Sequence, residues 1–183
     1  MRAIFWLSIL QRTRWYILLG PAPQFQRQPN LKAVVTQWLS FRGVEIKDLA
    51  EIVYKLQKPY NLGLTVQECI ESVEAVLEKR EVQHAILTGI TLDSLAEQGK
   101  LPEPLQTIIA NDDPLYGIDE ILALSITNVY GTIGLTSFGY LDKSKEGLIG
   151  SLNRGENGFI NTFLDDIVAG LAAAASARIA HRN

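Results

Sequence analysis

Cysteine is nearly missing: Cys69 stands alone among 183 residues. One cysteine permits no disulfide within the chain, which excludes a stapled secreted scaffold and suits a reducing cytoplasm. Histidine is almost as scarce. His84 and His181 are the only two, and nothing in the pattern ties either to Cys69, so a thiol–imidazole nucleophile is not expected. Cys69 reads instead as a small core residue, as free cysteines usually are. No His-Asp doublet, CxxC pair, HExxH helix, nucleophile elbow or Walker-type glycine loop occurs. Positive charge is not in excess either. A net charge of −3 offers no nucleic-acid footprint. Repeated apolar–polar alternation is also missing, which argues against a sheet.

What is present is acid, gathered late in the chain. Residues 112–166 hold nine acids (Asp112, Asp113, Asp119, Glu120, Asp142, Glu146, Glu156, Asp165, Asp166) against Lys143, Lys145 and Arg154. The first thirty residues are the opposite, with Arg2, Arg12, Arg14 and Arg27, no acid, and Pro21, Pro23 and Pro29. Their apolar run from Ala3 to Leu19 is broken at its centre by Gln11, Arg12 and Arg14. Each Arg there would cost roughly 2.5–3.5 kcal/mol in a bilayer. A membrane-surface anchor, an extra helix and a flexible extension all remain open readings. The composition favours the last, so residues 1–30 are expected to be a basic peripheral extension and 31–183 one helical domain.

From residue 31 the spacing is helical. Leu31–Phe41 is a short amphipathic piece. Ile46 to Leu56 forms a second, ended by Pro59. Thr65 and Glu68 read as a capping box ahead of Ile70, Val73, Val76 and Leu77. Helices are expected near 82–98 and 103–110, the latter leading to the turn signal Asn111-Asp112-Asp113-Pro114. A stretch from Tyr116 to Leu135, apolar on most sides, is expected to be a central helix. Phe138–Lys145 follows as a compact segment, then a glycine-rich loop, then a last helix over 162–180. The fold expected is an all-α, compact multi-helix bundle with a buried central helix. The apolar alanine-rich end suggests a homo-oligomer.

Two acidic doublets carry the functional signal. Asp119-Glu120 and Asp165-Asp166 each open an otherwise apolar segment. Acids are common at helix starts because they meet the positive end of the dipole, and Thr162 to Asp165 even reads as a capping box. A cap, however, needs one acid, and successive helical residues point about 100° apart. Four carboxylates at the mouths of two core elements would repel one another unless a cation sat between them, and Mg²⁺ prefers carboxylate oxygens. Asp166 is followed on its face by Ala169, Gly170 and Ala173, small enough for another helix backbone to come close. Asp142 and Lys145 add a carboxylate and a compact cation suited to phosphate.

At these residues the chain resembles the phosphatidylglycerophosphatase A family, closely its soluble, all-helical Gram-positive branch, over roughly Gly43 to Ala180. The motifs are Asp112 ahead of Gly117-Ile118-Asp119-Glu120, then Leu141-Asp142-Lys143-Ser144-Lys145, then Gly158 followed by Asp165-Asp166-Ile167-Val168-Ala169-Gly170. Glu146 stands where the family usually has proline, and Gly139 where an arginine is usual. The resemblance implies a Mg²⁺-dependent phosphatase that removes the terminal phosphate of phosphatidylglycerophosphate. It implies Asp119, Glu120, Asp165 and Asp166 as metal ligands, with Asp112, Asp142 and Lys145 near the phosphate. The substrate expected is a phospholipid phosphate or a soluble phosphomonoester, met in the cytoplasm or at the inner face of the membrane. Two rivals remain. One is an all-α nucleotide pyrophosphohydrolase using the Glu71–Glu74 spacing. The other is a non-enzymatic helical regulatory module.

Overall fold

The computed structural model describes residues 30–182, so the basic extension expected over 1–30 lies almost wholly outside the described residues. Within them the chain is helical, without a strand. The helices are α1 (Leu31–Phe41), α2 (Ile46–Gln57), α3 (Val66–Leu77), α4 (Arg80–Glu97), α5 (Leu105–Ala110), α6 (Ile118–Thr127), α7 (Gly131–Ser144), α8 (Leu148–Asn153) and α9 (Leu164–Ala180), with a 3₁₀ turn at Asn128–Tyr130.

Local chemistry sets the first boundaries as expected. The Asn30 side chain accepts from the Ala33 N–H at 3.3 Å and opens α1. Thr65 and Glu68 form the capping box of α3: the Glu68 N–H donates to Thr65 Oγ1 at 3.3 Å and the Thr65 N–H to Glu68 Oε2 at 2.8 Å. Cys69 is buried and free.

The apolar stretch from Tyr116 to Leu135 is neither one helix nor the centre. Ser125 Oγ donates to the Leu122 carbonyl and Thr127 Oγ1 to the Leu124 carbonyl, which competes with the helical ladder. The chain then tightens into the 3₁₀ turn and reverses at Gly131, whose φ of +71° suits glycine. The segment 138–145, expected to be separate, is the second half of α7 and its C-cap, Lys145. Ile118, Ile121, Val129, Ile133, Leu135 and Tyr140 remain exposed. By length and composition alone the stretch Ile118–Ser144 would pass for a membrane span, with only 28% of its most apolar window buried, but the break at Gly131 divides it into two shorter helices.

α9 is the centre instead. Every residue from Asn161 to Ala177 is buried, and α9 packs against α2, α3, α4, α6, α7 and α8. Its composition explains this: alanine and glycine give neighbours access from all sides, and each helix that closes on it removes apolar area from water at roughly 25 cal/mol per Å². The alanine run that suggested an oligomer surface is therefore used inside the bundle. At Gly170 an added Cβ would stand 3.0 Å from the Ala123 carbonyl oxygen, so α6 and α9 touch backbone to backbone as the small-residue face of Asp166 predicts.

A candidate metal centre where three helix ends meet

That close approach brings the starts of α6 and α9 together. Asp119 and Glu120 lie in the first turn of α6, Asp165 and Asp166 in the first turn of α9. Asp119, Glu120 and Asp166 each present a carboxylate oxygen, and these oxygens lie within 4.8 Å of one another. Gly117, at φ +69°, precedes α6; its hydrogen leaves room for Glu120 Oε2, which would stand 3.4 Å from a Cβ there.

The fourth expected ligand is turned elsewhere. Asp165 Oδ2 accepts from Lys145 Nζ at 2.9 Å, and Asp142 Oδ1 stands 3.6 Å from the same ammonium. Lys145 is the C-cap of α7 and sits in the left-handed region at φ 41°, ψ 48°, a conformation costly for a residue with a Cβ. Asp112 is also left-handed, at φ 51°. Asp112 is exposed in the turn before α6, with its carboxyl within the field of Asp119 and Lys145. A polar cleft of about 200 Å³ opens beside it, bordered by Asn111, Asn153 and Arg154.

The electrostatics are those of a site short of positive charge. Burial pushes the Asp166 carboxyl well above the carboxylate range, and the charges of Asp165 and Asp142 push it further. Burial also lifts Asp165, to about 6, even though Lys145 opposes the shift. Asp112 and Glu120 are raised by burial and then by Asp119. Burial disfavours the Lys145 charge, but the surrounding Asp165, Asp166 and Asp142 outweigh it and hold the ammonium protonated. Asp166 Oδ1 is buried without a hydrogen-bond partner. A carboxylate with an orphaned oxygen, gathered with two further carboxylates, fits a hard divalent cation; the cluster could hold a metal ion.

The start of α9 is not capped from its own sequence. Thr162 and Asp165 do not form the expected box. Thr162 Oγ1 donates to the Ile109 carbonyl at 2.7 Å, and Asp165 is committed to Lys145. The cap comes from α4. The Phe163 N–H donates to Asp93 Oδ1 at 3.1 Å and the Leu164 N–H to Asp93 Oδ2 at 3.2 Å. Asp93 is fully buried, and burial pushes it up to about 8 despite these two donors and the nearby Arg42. The sequence carried a readable signal here: a lone carboxylate on the stripe Val82, Ile86, Gly89, Ile90, Asp93, Ala96, all buried. Glu71 and Glu74, by contrast, are exposed on α3 and belong to no such cluster among the described residues.

An all-α bundle that gathers acids from two helix starts around a lysine defines a class of carboxylate-site proteins, and comparison narrows it. The family model for phosphatidylglycerophosphatase A matches residues 34–181; the chain belongs to that family. It is 61% identical over 148 residues to the uncharacterized protein YpjQ of Bacillus subtilis (strain 168), covering 81% of this chain and 83% of the relative. It is 59% identical over 141 residues to the uncharacterized protein YutG of the same organism, covering 77% and 85%. The crystal structure of the low temperature requirement C protein from Listeria monocytogenes superposes with a TM-score of 0.81 at 54% identity, covering 85% of this chain and 98% of that one. These relatives belong with the Gram-positive, all-helical branch that the motifs suggested.

Proposed function

We propose that the chain is a Mg²⁺-dependent phosphatase that hydrolyses a phosphomonoester, with phosphatidylglycerophosphate as the substrate and phosphatidylglycerol as the product, acting from the cytoplasm at the inner face of the membrane. The observation that carries the reading is the convergence of Asp119, Glu120 and Asp166, with one buried oxygen of Asp166 unpartnered, beside a lysine. Asp119, Glu120 and Asp166 would hold the metal. When bound, Mg²⁺ supplies Lewis acidity toward the phosphoryl oxygens and a fixed position for the phosphate.

The chain's own residues supply the rest. Lys145 offers positive charge to the transferring phosphoryl group, and its tie to Asp165 fixes that charge at the mouth of the site. Asp142 Oδ1, 3.6 Å away, adds a second negative partner to the same ammonium. Asp112, whose carboxyl is raised by desolvation and by the charge of Asp119, would exchange a proton with the reacting groups. In direct hydrolysis water passes a proton to an aspartate and attacks phosphorus as the bond to the alcohol oxygen breaks, and the departing alkoxide takes up a proton from that aspartic acid. In the two-step alternative an aspartate attacks phosphorus and displaces the alcohol, which leaves with a proton from a neighbouring acid, and water then cleaves the aspartyl phosphate. The cleft bordered by Asn111, Asn153 and Arg154 gives hydrogen-bonding room beside Asp112 for the alcohol portion. The exposed apolar face of α6 and α7 is the surface that the homo-oligomer would bury.

The test is phosphate release from phosphatidylglycerophosphate in mixed micelles, with Mg²⁺ and with EDTA, beside soluble phosphomonoesters and nucleotides. Release from the lipid that EDTA abolishes is the expected result. Release from a soluble compound alone would keep the metal chemistry and discard the lipid. Release from none would leave a helical binding module.

A further inference from the structure

We infer that Asp93 is a positioning residue of the acidic centre: by capping α9 from α4 it fixes where Asp166 meets Asp119 and Glu120, and so sets the affinity for the divalent cation. The inference rests on the metal reading above.

Both oxygens of Asp93 are engaged by successive backbone amides, those of Phe163 and Leu164, at 3.1 and 3.2 Å. The next two residues are Asp165 and Asp166. Two bonds from one rigid carboxylate fix both the position and the roll of a helix start, whereas a single hydroxyl cap leaves the roll free. The same turn is held on a second side by Thr162 Oγ1 on the Ile109 carbonyl, just before Asp112. Gly89, one turn earlier on α4, brings that helix against α9 as well; a Cβ there would stand 2.9 Å from Phe163 Cβ.

Asp93 is itself held. Arg42 Nη2 lies 3.8 Å from Asp93 Oδ2 and donates to the Ile160 carbonyl at 3.0 Å, while Arg42 Nη1 donates to Glu97 Oε1. The Ile160 N–H returns to Glu97 at 3.0 Å. The end of α1, the buried side of α4 and the loop entering α9 are thus joined through groups that are not in the acidic cluster. A serine or asparagine would cap a helix at far lower desolvation cost than a fully buried carboxylate. The Asp93 carboxylate answers the buried Arg42 charge on one side and places the aspartate pair on the other.

The experiment measures Mg²⁺ binding to the full chain by calorimetry and by the metal-induced rise in melting temperature, for wild type, Asp93→Asn, Asp93→Ala and Val35→Ala. Val35 is buried in α1 and serves as a control for general destabilisation. Asp93→Asn keeps one acceptor oxygen and should weaken Mg²⁺ binding about tenfold, in the range that supporting partners of metal ligands command. Asp93→Ala should weaken it further. Val35→Ala should bind as wild type does, although it melts earlier. Mg²⁺ affinity in Asp93→Asn equal to wild type, or lowered no more than in Val35→Ala, overturns the inference and leaves the metal reading intact. A wild-type chain that does not bind Mg²⁺ overturns both. Should neither Asp93 variant fold, Glu97→Gln loosens Arg42 with Asp93 in place. A smaller fall in affinity is then expected, and an unchanged affinity overturns the inference.

Discussion

Lys145 Nζ lies 2.9 Å from Asp165 Oδ2 and ties the end of α7 to the start of α9 across twenty residues of sequence. The pair is asymmetric: Asp165 is almost fully buried, while Lys145 keeps a third of its side chain in solvent. The lysine is held at the mouth of the site, close to where a phosphoryl group would meet the acidic cluster.

Replacing Lys145 with methionine should therefore reduce turnover far more than stability. Loss of one group that stabilises developing charge commonly costs about 10²–10³ in kcat. Lys145→Arg should not restore full rate, because a planar fork does not sit where a compact ammonium does. Steady-state rates beside circular-dichroism melts would check this; equal losses in rate and stability would contradict it.

Asp166→Asn should separate function from stability in the other direction. It removes a buried carboxylate crowded by Asp165 and Asp142, so the metal-free variant should melt at or above the wild-type temperature. Its Mg²⁺-dependent turnover and its Mg²⁺-induced rise in melting temperature should both vanish. A variant with wild-type turnover would remove Asp166 from the site.

The pH response follows from the raised carboxyls. A group whose folded pKa lies above its unfolded value stabilises the fold while protonated, and that stability is lost as pH rises through the folded pKa. Asp165 at about 6 and Asp93 at about 8, both from an ordinary 3.8, should thus make the metal-free chain lose stability between roughly pH 4 and pH 8, with Asp166 acting in the same direction. A divalent cation such as Mg²⁺ would bind the deprotonated cluster, so its stabilising effect should grow over the same range. Melting temperatures from pH 5 to 9, in EDTA and in Mg²⁺, should diverge as pH rises.

Gly170→Val should damage the site from a distance. An added Cβ would already stand 3.0 Å from the Ala123 carbonyl and 3.4 Å from its Cβ. Overpacking of this kind costs about 1–3 kcal/mol. Because the contact sets the spacing of α6 and α9, Mg²⁺ affinity should fall with stability. Chemical denaturation and metal titration of the same preparation would measure both.

The sequence alone determined the helical class, the early helix boundaries, the acidic doublets and the family. Each is local: a 3.6-residue stripe, Thr65 against Glu68, two adjacent acids, an ordered motif set. Its reading of the apolar stretch over 116–135 as the centre failed because side chains of similar hydropathy do not declare which face another helix will cover. The alanine-rich α9, small enough for six helices to approach, took that place and left Ile121 and Ile133 outside. Tertiary structure alone decided that Asp166 joins Asp119 and Glu120 while Asp165 turns to Lys145, and that the cap of α9 comes from Asp93, seventy residues away from Phe163. Neighbouring side chains on a helix start differ only in direction, and direction acquires meaning when another helix fixes what lies there.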